Sequence, residues 1–314
     1  MLLDPALRYN TLVSESDDFW DFYWETSAHK LADLGKWEAI RTASRLVRRL
    51  ASDPLQPVRL LELGCGEGQI IGALARAHAG VREIAASCGV DYSRSAIEKA
   101  RRNFPELSFI EGDFTDPGLI SGLGQFEIVL LVNALHEVFS AAYSEALGEV
   151  DVGQARQQVE LALGGAVERL APGGYLLLFD GLENLGDTSQ PVRIRWNDRQ
   201  ARQRFETFAA EYRPFRITYR ETGDPLSVEL SYRDFTRYIT KAIFLDKSLW
   251  QTERLESYQY FNQAEFTALF GRLGLEILEL RTLTVDYEKW RAEVEIETAG
   301  MDFPVEHVLV VGRI

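Results

Sequence analysis

The sequence predicts an α/β fold, a parallel sheet covered by helices on both faces. Two observations carry this. Between Val58 and Asp180, short strands that are apolar on both faces alternate with helical segments, the pattern of a buried parallel sheet. A glycine-dense turn, Gly64-Cys65-Gly66-Glu67-Gly68, then joins the first of these strands to the first helix. Glycines at such a turn let the backbone approach a ligand without a Cβ clash, and the helix start offers free N–H donors.

The elements follow in order. Residues 1–56 read as a helical cap, with an aromatic cluster (Phe19, Trp20, Phe22, Tyr23, Trp24) and then a helix over Lys36–Ala51. In that helix Trp37, Ile40, Ala43, Leu46, Val47 and Leu50 recur at three- and four-residue steps and form one apolar face. Asp53-Pro54 and Pro57 end it. The strands expected next are Arg59–Leu63, Ala85–Val90, Ser108–Ile110, Glu127–Val132 and Tyr175–Phe179, the last fed by a turn at Pro172-Gly173-Gly174. Between them fall helices at Gln69–Ala79, Ser93–Asn103, Gly118–Leu123 and near Gln154–Leu170.

The alternation breaks at residues 186–261, read as a mainly helical insertion with some extended segments. It resumes with a helix at Gln263–Leu273, capped by Asn262 and stopped by Gly274. Two strands, about Glu276–Val285 and Glu306–Val311, should close the chain as a hairpin with an irregular excursion at Tyr287–Pro304. The expected domains are therefore a cap (1–56), a core (57–185 plus 262–314) and a substrate lid (186–261).

Composition narrows the function. The 314 residues carry 48 acidic against 34 basic side chains, a net charge of −14. A surface of that sign repels polyanions, so nucleic acid and anionic membranes are disfavoured partners. No apolar run approaches the roughly 20 residues of a membrane helix. The N-terminus lacks a secretory apolar stretch, and the two cysteines, Cys65 and Cys88, give no disulfide framework. A cytoplasmic protein is expected.

The glycine turn reads Glu62-Leu63-Gly64-Cys65-Gly66-Glu67-Gly68, a Glu-x-Gly-x-Gly-x-Gly spacing rather than the Gly-x-Gly-x-x-Gly of dinucleotide sites. Further acids stand at strand ends: Asp91 in Gly89-Val90-Asp91-Tyr92-Ser93, and Asp113 in Glu111-Gly112-Asp113-Phe114. Asp91 lies 27 residues past the first glycine, where a ribose diol would sit. Glu62, Asp91 and Asp113 together supply a negative potential that suits a cationic ligand and opposes a pyrophosphate. The fourth strand ends Asn133-Ala134-Leu135-His136-Glu137 and the fifth follows Leu170-Ala171-Pro172-Gly173-Gly174.

With these five stations in order, residues 58–182 and 262–314 resemble the class I S-adenosylmethionine-dependent methyltransferases. The resemblance implies a Rossmann-like seven-stranded sheet with the last strand antiparallel. It implies S-adenosyl-L-methionine as cofactor and S-adenosyl-L-homocysteine as product. Glu62, Gly64, Cys65, Gly66, Gly68, Asp91, Tyr92, Asp113, Phe114 and Asn133 would bind the cofactor, with Asp91 on the ribose hydroxyls, Asp113 on the adenine amino group and Phe114 on the ring.

Methyl transfer by proximity and desolvation needs little else from the protein, so a catalytic base is optional. His136 is the candidate base, because it titrates near neutrality; Glu137 is a weaker one. Each has a plain alternative as a packing or solvated residue. No metal-ligand set is evident, so a metal is not expected.

Residues 191–220 hold eight arginines against Asp198, Glu206 and Glu211, a net +5. They line a site for an anionic acceptor, or they balance acids of the main domain or a partner subunit. On the first reading Arg193, Arg195, Asp180 and Tyr23 contact the acceptor. The expected activity is methylation of oxygen or nitrogen on a small molecule or peptide. The alternatives are RNA methylation and an inactive SAM-binding regulatory or structural protein. The acceptor and the oligomeric state are left open.

Overall fold

The computed structural model describes residues 34–246, 250–284 and 287–314; Tyr23 and the Phe19–Trp24 cluster lie outside the described residues. The first described helix, α1 (Leu34–Leu50), buries Trp37, Ile40, Ala43 and Val47 to within 1% of full burial, the face its spacing foretold. Then follow β1 (Leu60–Leu63), α2 (Gln69–Ala77), β2 (Cys88–Asp91), α3 (Arg94–Asn103), β3 (Ser108–Glu111), α4 (Pro117–Gly122), β4 (Phe126–Val132) and α5 (Leu135–Ser140). A short pair, β5 (Tyr143–Ser144) and β6 (Glu149–Val150), precedes α6 (Val152–Val167) and β7 (Leu170–Gly181). The chain continues through β8 (Pro191–Trp196), α7 (Arg199–Glu211), β9 (Tyr219–Glu221), β10 (Ser227–Ser231), α8 (Tyr232–Lys241) and α9 (Trp250–Glu253). It ends with α10 (Gln263–Arg272), β11 (Glu276–Leu283), α11 (Tyr287–Glu293), β12 (Val294–Ile296) and β13 (His307–Arg313).

Seven strands form one sheet in the order β11-β13-β7-β4-β1-β2-β3, with the last strand antiparallel. β1 pairs in parallel with both β2 and β4, in registers Leu63↔Val90 and Leu63↔Leu131. β2 pairs in parallel with β3, placing Asp91 opposite Glu111. This is the Rossmann-like arrangement expected. Helix caps anticipate it locally: Ser93 accepts from Ala96 N at the start of α3, and Asn262 with Glu265 forms a capping box on α10.

The Pro172–Gly174 turn differs from expectation. These residues are part of β7 itself, with Gly173 at φ 75°. The insertion holds the helices α7 and α8, and also strands that build a separate antiparallel sheet in the order β12-β8-β10-β9. β12 comes from the stretch read as irregular, and it pairs with β8 as Val294↔Trp196. The cause is visible in β8, where Val192, Ile194 and Trp196 are buried and alternate with Arg193 and Arg195. Such alternation asks for a partner strand on each side.

The chain falls into two compact units. One comprises Met1–Val132, Gly165–Leu178 and Val311–Ile314, the other Asn133–Gly164 and Phe179–Val310. In the first, Leu60, Leu61, Leu63, Ile71, Leu74, Ile97, Phe104 and Ile128 through Leu131 are fully buried. Each contributes about 1.5–3 kcal/mol through removal of apolar area from water. Gly72 lies inside α2, where alanine would normally gain about 1 kcal/mol. Here an added Cβ would enter the ring of the fully buried Phe104. Gly72→Ala should therefore destabilise the chain by about 1–3 kcal/mol in denaturant unfolding; a gain in stability would show that the α2–α3 packing is wrong.

Candidate functional site

In the first unit the turn after β1 folds back on the end of β2. The N–H groups of Gly64 and Cys65 both donate to the Val90 carbonyl, at 2.9 and 3.0 Å. Gly64, Gly66 and Gly68 stand at φ 76°, 52° and 77°, left-handed backbone that glycine adopts at no steric cost. The Asp91 carboxylate clips the turn in place: Oδ2 accepts from Gly66 N and Oδ1 from Ser93 N, both at 2.8 Å. Gly112 N donates to the Asp91 carbonyl at 2.9 Å, so the turns after β1, β2 and β3 are joined.

Space is distributed unevenly around this turn. A Cβ at Gly68 would stand 2.7 Å from the Phe109 ring, whereas one at Gly66 would meet nothing within 4 Å. The turn is thus packed on its helix side and open at Gly66. Glu62 is buried at the end of β1 and accepts from Ile71 N at 3.0 Å. Burial, aided by the nearby Asp91, pushes its carboxyl up to about 8. Cys65 is buried and its thiol is pushed up by burial and by Glu62 and Asp91, so it packs rather than reacts. Asp113 is exposed, with Oδ1 held by Thr115 N and Oγ1; Phe114 is buried, and Tyr92 is 68% exposed.

In the second unit the chain leaves β4 through Asn133, a non-glycine residue at φ 53°. Its N–H donates to the Phe179 carbonyl at 2.8 Å, while its buried Oδ1 has no hydrogen-bond partner among the described residues. Left-handed asparagine with an orphaned carbonyl is the strained geometry that collects at functional sites. The next turn is held by Asp180, at the end of β7. Asp180 Oδ2 accepts from the N–H groups of Ala134 and Leu135 at 3.1 and 2.8 Å, and Oδ1 from Gly181 N at 2.7 Å.

The structure brings Asp180 and His136 together, at 2.8 Å between Oδ1 and Nδ1. His136 Nε2 faces Glu256 Oε2 at 3.5 Å, and the ring stacks on Tyr258 with centroids 3.8 Å apart. Burial works to lower the imidazole pKa, but the two carboxylates outweigh it and push it up to about 10. Asp180 is shifted the other way, below the usual carboxylate range, as the neighbouring imidazolium and the backbone donors prevail over burial. The network continues to the fully buried Lys241, whose Nζ lies 2.7 Å from Glu253, 3.5 Å from Glu256 and 4.1 Å from the Tyr258 ring centre. Glu137 is exposed on the first turn of α5.

Residues 60–151 match the family model described as a methyltransferase domain. Over that stretch, under a third of the chain, the sequence is similar to methyltransferase domains. No curated protein matches the chain. Among solved structures, it is similar to the magnesium protoporphyrin IX methyltransferase of Synechocystis PCC 6803 with bound SAH, at 13% identity and a TM-score of 0.45, over 99% of this chain and 100% of that one. It is also similar to an S-adenosylmethionine-dependent methyltransferase of Mesorhizobium loti, at 16% identity and TM-score 0.43, over 89% and 98%. An O-methyltransferase family protein of Burkholderia thailandensis gives 12% and 0.42, over 98% and 71%.

Half of the eight arginines in residues 191–220 pair with acids of the same chain. Arg195 pairs with Asp224 at 2.9 Å, Arg202 with Glu221 at 2.6 Å, Arg204 with Glu293 at 3.3 Å and Arg220 with Glu229 at 2.6 Å. Arg193 lies on the same β8 and lines a polar pocket with Arg220, Thr222, Asp224 and Glu297. The acids Glu256 and Glu253, the buried Lys241 and Arg237 and the exposed Arg233 had not been singled out. The sequence of α8 reads as amphipathic, yet the whole run from Asp234 to Lys241 is buried, polar residues included, so Arg237 and Lys241 carry no local mark of their burial.

Proposed function

We propose that this chain transfers a methyl group to an oxygen or nitrogen atom of a small molecule or peptide, chiefly by holding donor and acceptor in line. The Asp91 clip across an open glycine turn is the observation that carries this reading. S-adenosylmethionine is the proposed cofactor: bound at this turn, it would supply an electrophilic methyl group on a sulfonium, its sulfur would keep the carbon–sulfur bond pair as a neutral thioether, and the acceptor's proton would pass to solvent.

The residues fit such a guest. Each Asp91 oxygen keeps a lone pair for a ribose hydroxyl beyond its one backbone bond. Asp91 adds negative charge near the turn, Glu62 is a buried carboxyl that a nearby cation would ionise, and the buried Asn133 Oδ1 has no donor among the described residues. Asp113 and Phe114 are proposed for the adenine, and the arginine-rich 186–261 segment for the acceptor side.

His136 is proposed as a positioning residue and not as the base. Protonated and held by two carboxylates, it has no lone pair left to accept a proton. Asp180 likewise is proposed to hold the β4–α5 turn rather than the acceptor.

Asp91→Ala should weaken binding of SAM by about 1.5–3 kcal/mol, the range for hydrogen bonds to a charged group. Calorimetry decides this: unchanged affinity removes the ribose assignment, and tighter binding of NAD than of SAM removes the methyl-transfer reading.

A further inference from the structure

The second unit holds a half-open cavity of about 440 Å³, within the range of small-molecule sites. Its apolar wall is aromatic: Phe139 from α5, Phe215 and Tyr260. Its charged wall is basic on balance, four arginines (156, 216, 233, 237) against Glu149, Glu183 and Asp234. Two of those acids are already taken. Arg233 Nε pairs with Glu183 at 2.9 Å, and Arg237 Nη1 with Asp234 at 2.9 Å. Arg156 reaches outside the lining to Glu265 at 2.7 Å. Arg216 is exposed and makes no ion pair among the described residues.

Two buried polar groups here are incompletely satisfied. Arg237 is 7% exposed, with its guanidinium 3.9 Å above the Phe215 ring, and its Nε has no partner among the described residues. Gln259, 2% exposed, donates to Thr240 but leaves Oε1 unpartnered. Arginine stacked on an aromatic ring, beside a second unpaired arginine, recognises a planar anion by fork geometry and stacking together.

The cavity also shares its wall with the His136 network. Helix α5 carries His136 on its first turn and Phe139 one turn later. The segment Tyr258–Tyr260 stacks Tyr258 on His136 and lines the cavity with Gln259 and Tyr260. We propose that this cavity binds the methyl acceptor, and that the acceptor is a small planar aromatic carboxylate. The word acceptor rests on the methyl-transfer reading above; the ligand chemistry does not.

The test uses 2-naphthoate and its neutral amide, 2-naphthamide, titrated into the full chain by ligand-observed NMR. The acid should bind at least fivefold tighter than the amide. Arg216→Gln should reduce that preference below twofold, and Arg216→Lys should restore part of it, while SAM affinity moves by less than twofold in both. Equal binding of acid and amide, binding of neither at millimolar concentration, or a preference unchanged in Arg216→Gln would overturn the ligand class. In a cell-extract assay with labelled SAM, 2-naphthoate should suppress methylation of small molecules, and Arg216→Gln should need about tenfold more of it. Bound naphthoate without suppression removes the acceptor role. SAM binding with no labelled product removes the methyl-transfer reading and leaves the cavity's ligand class to the titration.

Discussion

An Asp180→Ala chain should be less stable than the parent by about 3–5 kcal/mol, the cost of breaking a buried ion pair from one side. Asp180 is fully buried and holds more than its pair with His136. The N–H groups of Ala134, Leu135 and Gly181 also end on its two oxygens. Truncation leaves those donors and the imidazolium Nδ1 without that acceptor, with Glu256 the one carboxylate still on the ring among the described residues. Asp180→Asn keeps one carbonyl acceptor and should cost less, about 1–3 kcal/mol. Denaturant unfolding measures both. A loss below about 1 kcal/mol for Asp180→Ala would mean that the β4–α5 turn is held by something else.

The same network sets a pH dependence. His136 is pushed up to about 10 in the folded chain, against an ordinary 6.5 when unfolded. Between those values the folded state keeps a proton that the unfolded state has released. Its stabilising contribution is therefore whole below pH 6.5 and is lost as pH rises through about 10. Glu62, raised to about 8 from 4.5, also makes stability fall with rising pH, but in a lower window. The loss between about pH 8 and 9 belongs chiefly to His136, before the buried Cys65 and Cys88 thiols, also raised by burial, add to it, and a His136→Gln chain should show a flatter stability profile there.

The sequence made the first unit readable because its signals are local. Glu62 through Gly68 is one unbroken strand–turn–helix, and Asp91 and Asp113 close strands whose apolar runs mark them. Even the cap at Asn262 is written within four residues of its partner Glu265. The second unit is built from contacts that no window contains. Asp180 meets His136 across 44 residues, and β12 joins β8 from about a hundred residues away. Lys241 reads as a solvated helix end until Glu253 and Glu256 are seen around it. The arginines left two readings open for a related reason. Composition shows their excess, but only geometry shows that Arg195, Arg202, Arg204 and Arg220 already have partners, and that Arg216, without an ion pair among the described residues, lines the cavity.

Binding of SAM near pH 7 should release close to one proton, and Glu62 should be its source. In the free chain burial holds this carboxyl neutral up to about pH 8. The proposed guest carries two positive charges at neutral pH, the sulfonium and an α-amino group with an ordinary pKa of about 7.7–8.0. A cation placed near Glu62 favours the carboxylate and lowers its pKa, so the acid must ionise as the cofactor arrives. The sign follows: acid competes with the cofactor, and affinity should rise by up to about tenfold per pH unit from pH 6 to 7.5. That window keeps the cofactor's amine charged. Calorimetry in buffers of different ionisation enthalpy should count roughly 0.5–1 proton released per cofactor bound. Glu62→Gln removes the titrating group but keeps an acceptor for Ile71 N–H, so the chain should fold. In that variant both the proton release and the pH slope should vanish. If the parent chain releases no proton, or the variant releases as many, then Glu62 does not face the cofactor's charge. Its burial would then serve only to anchor the start of α2.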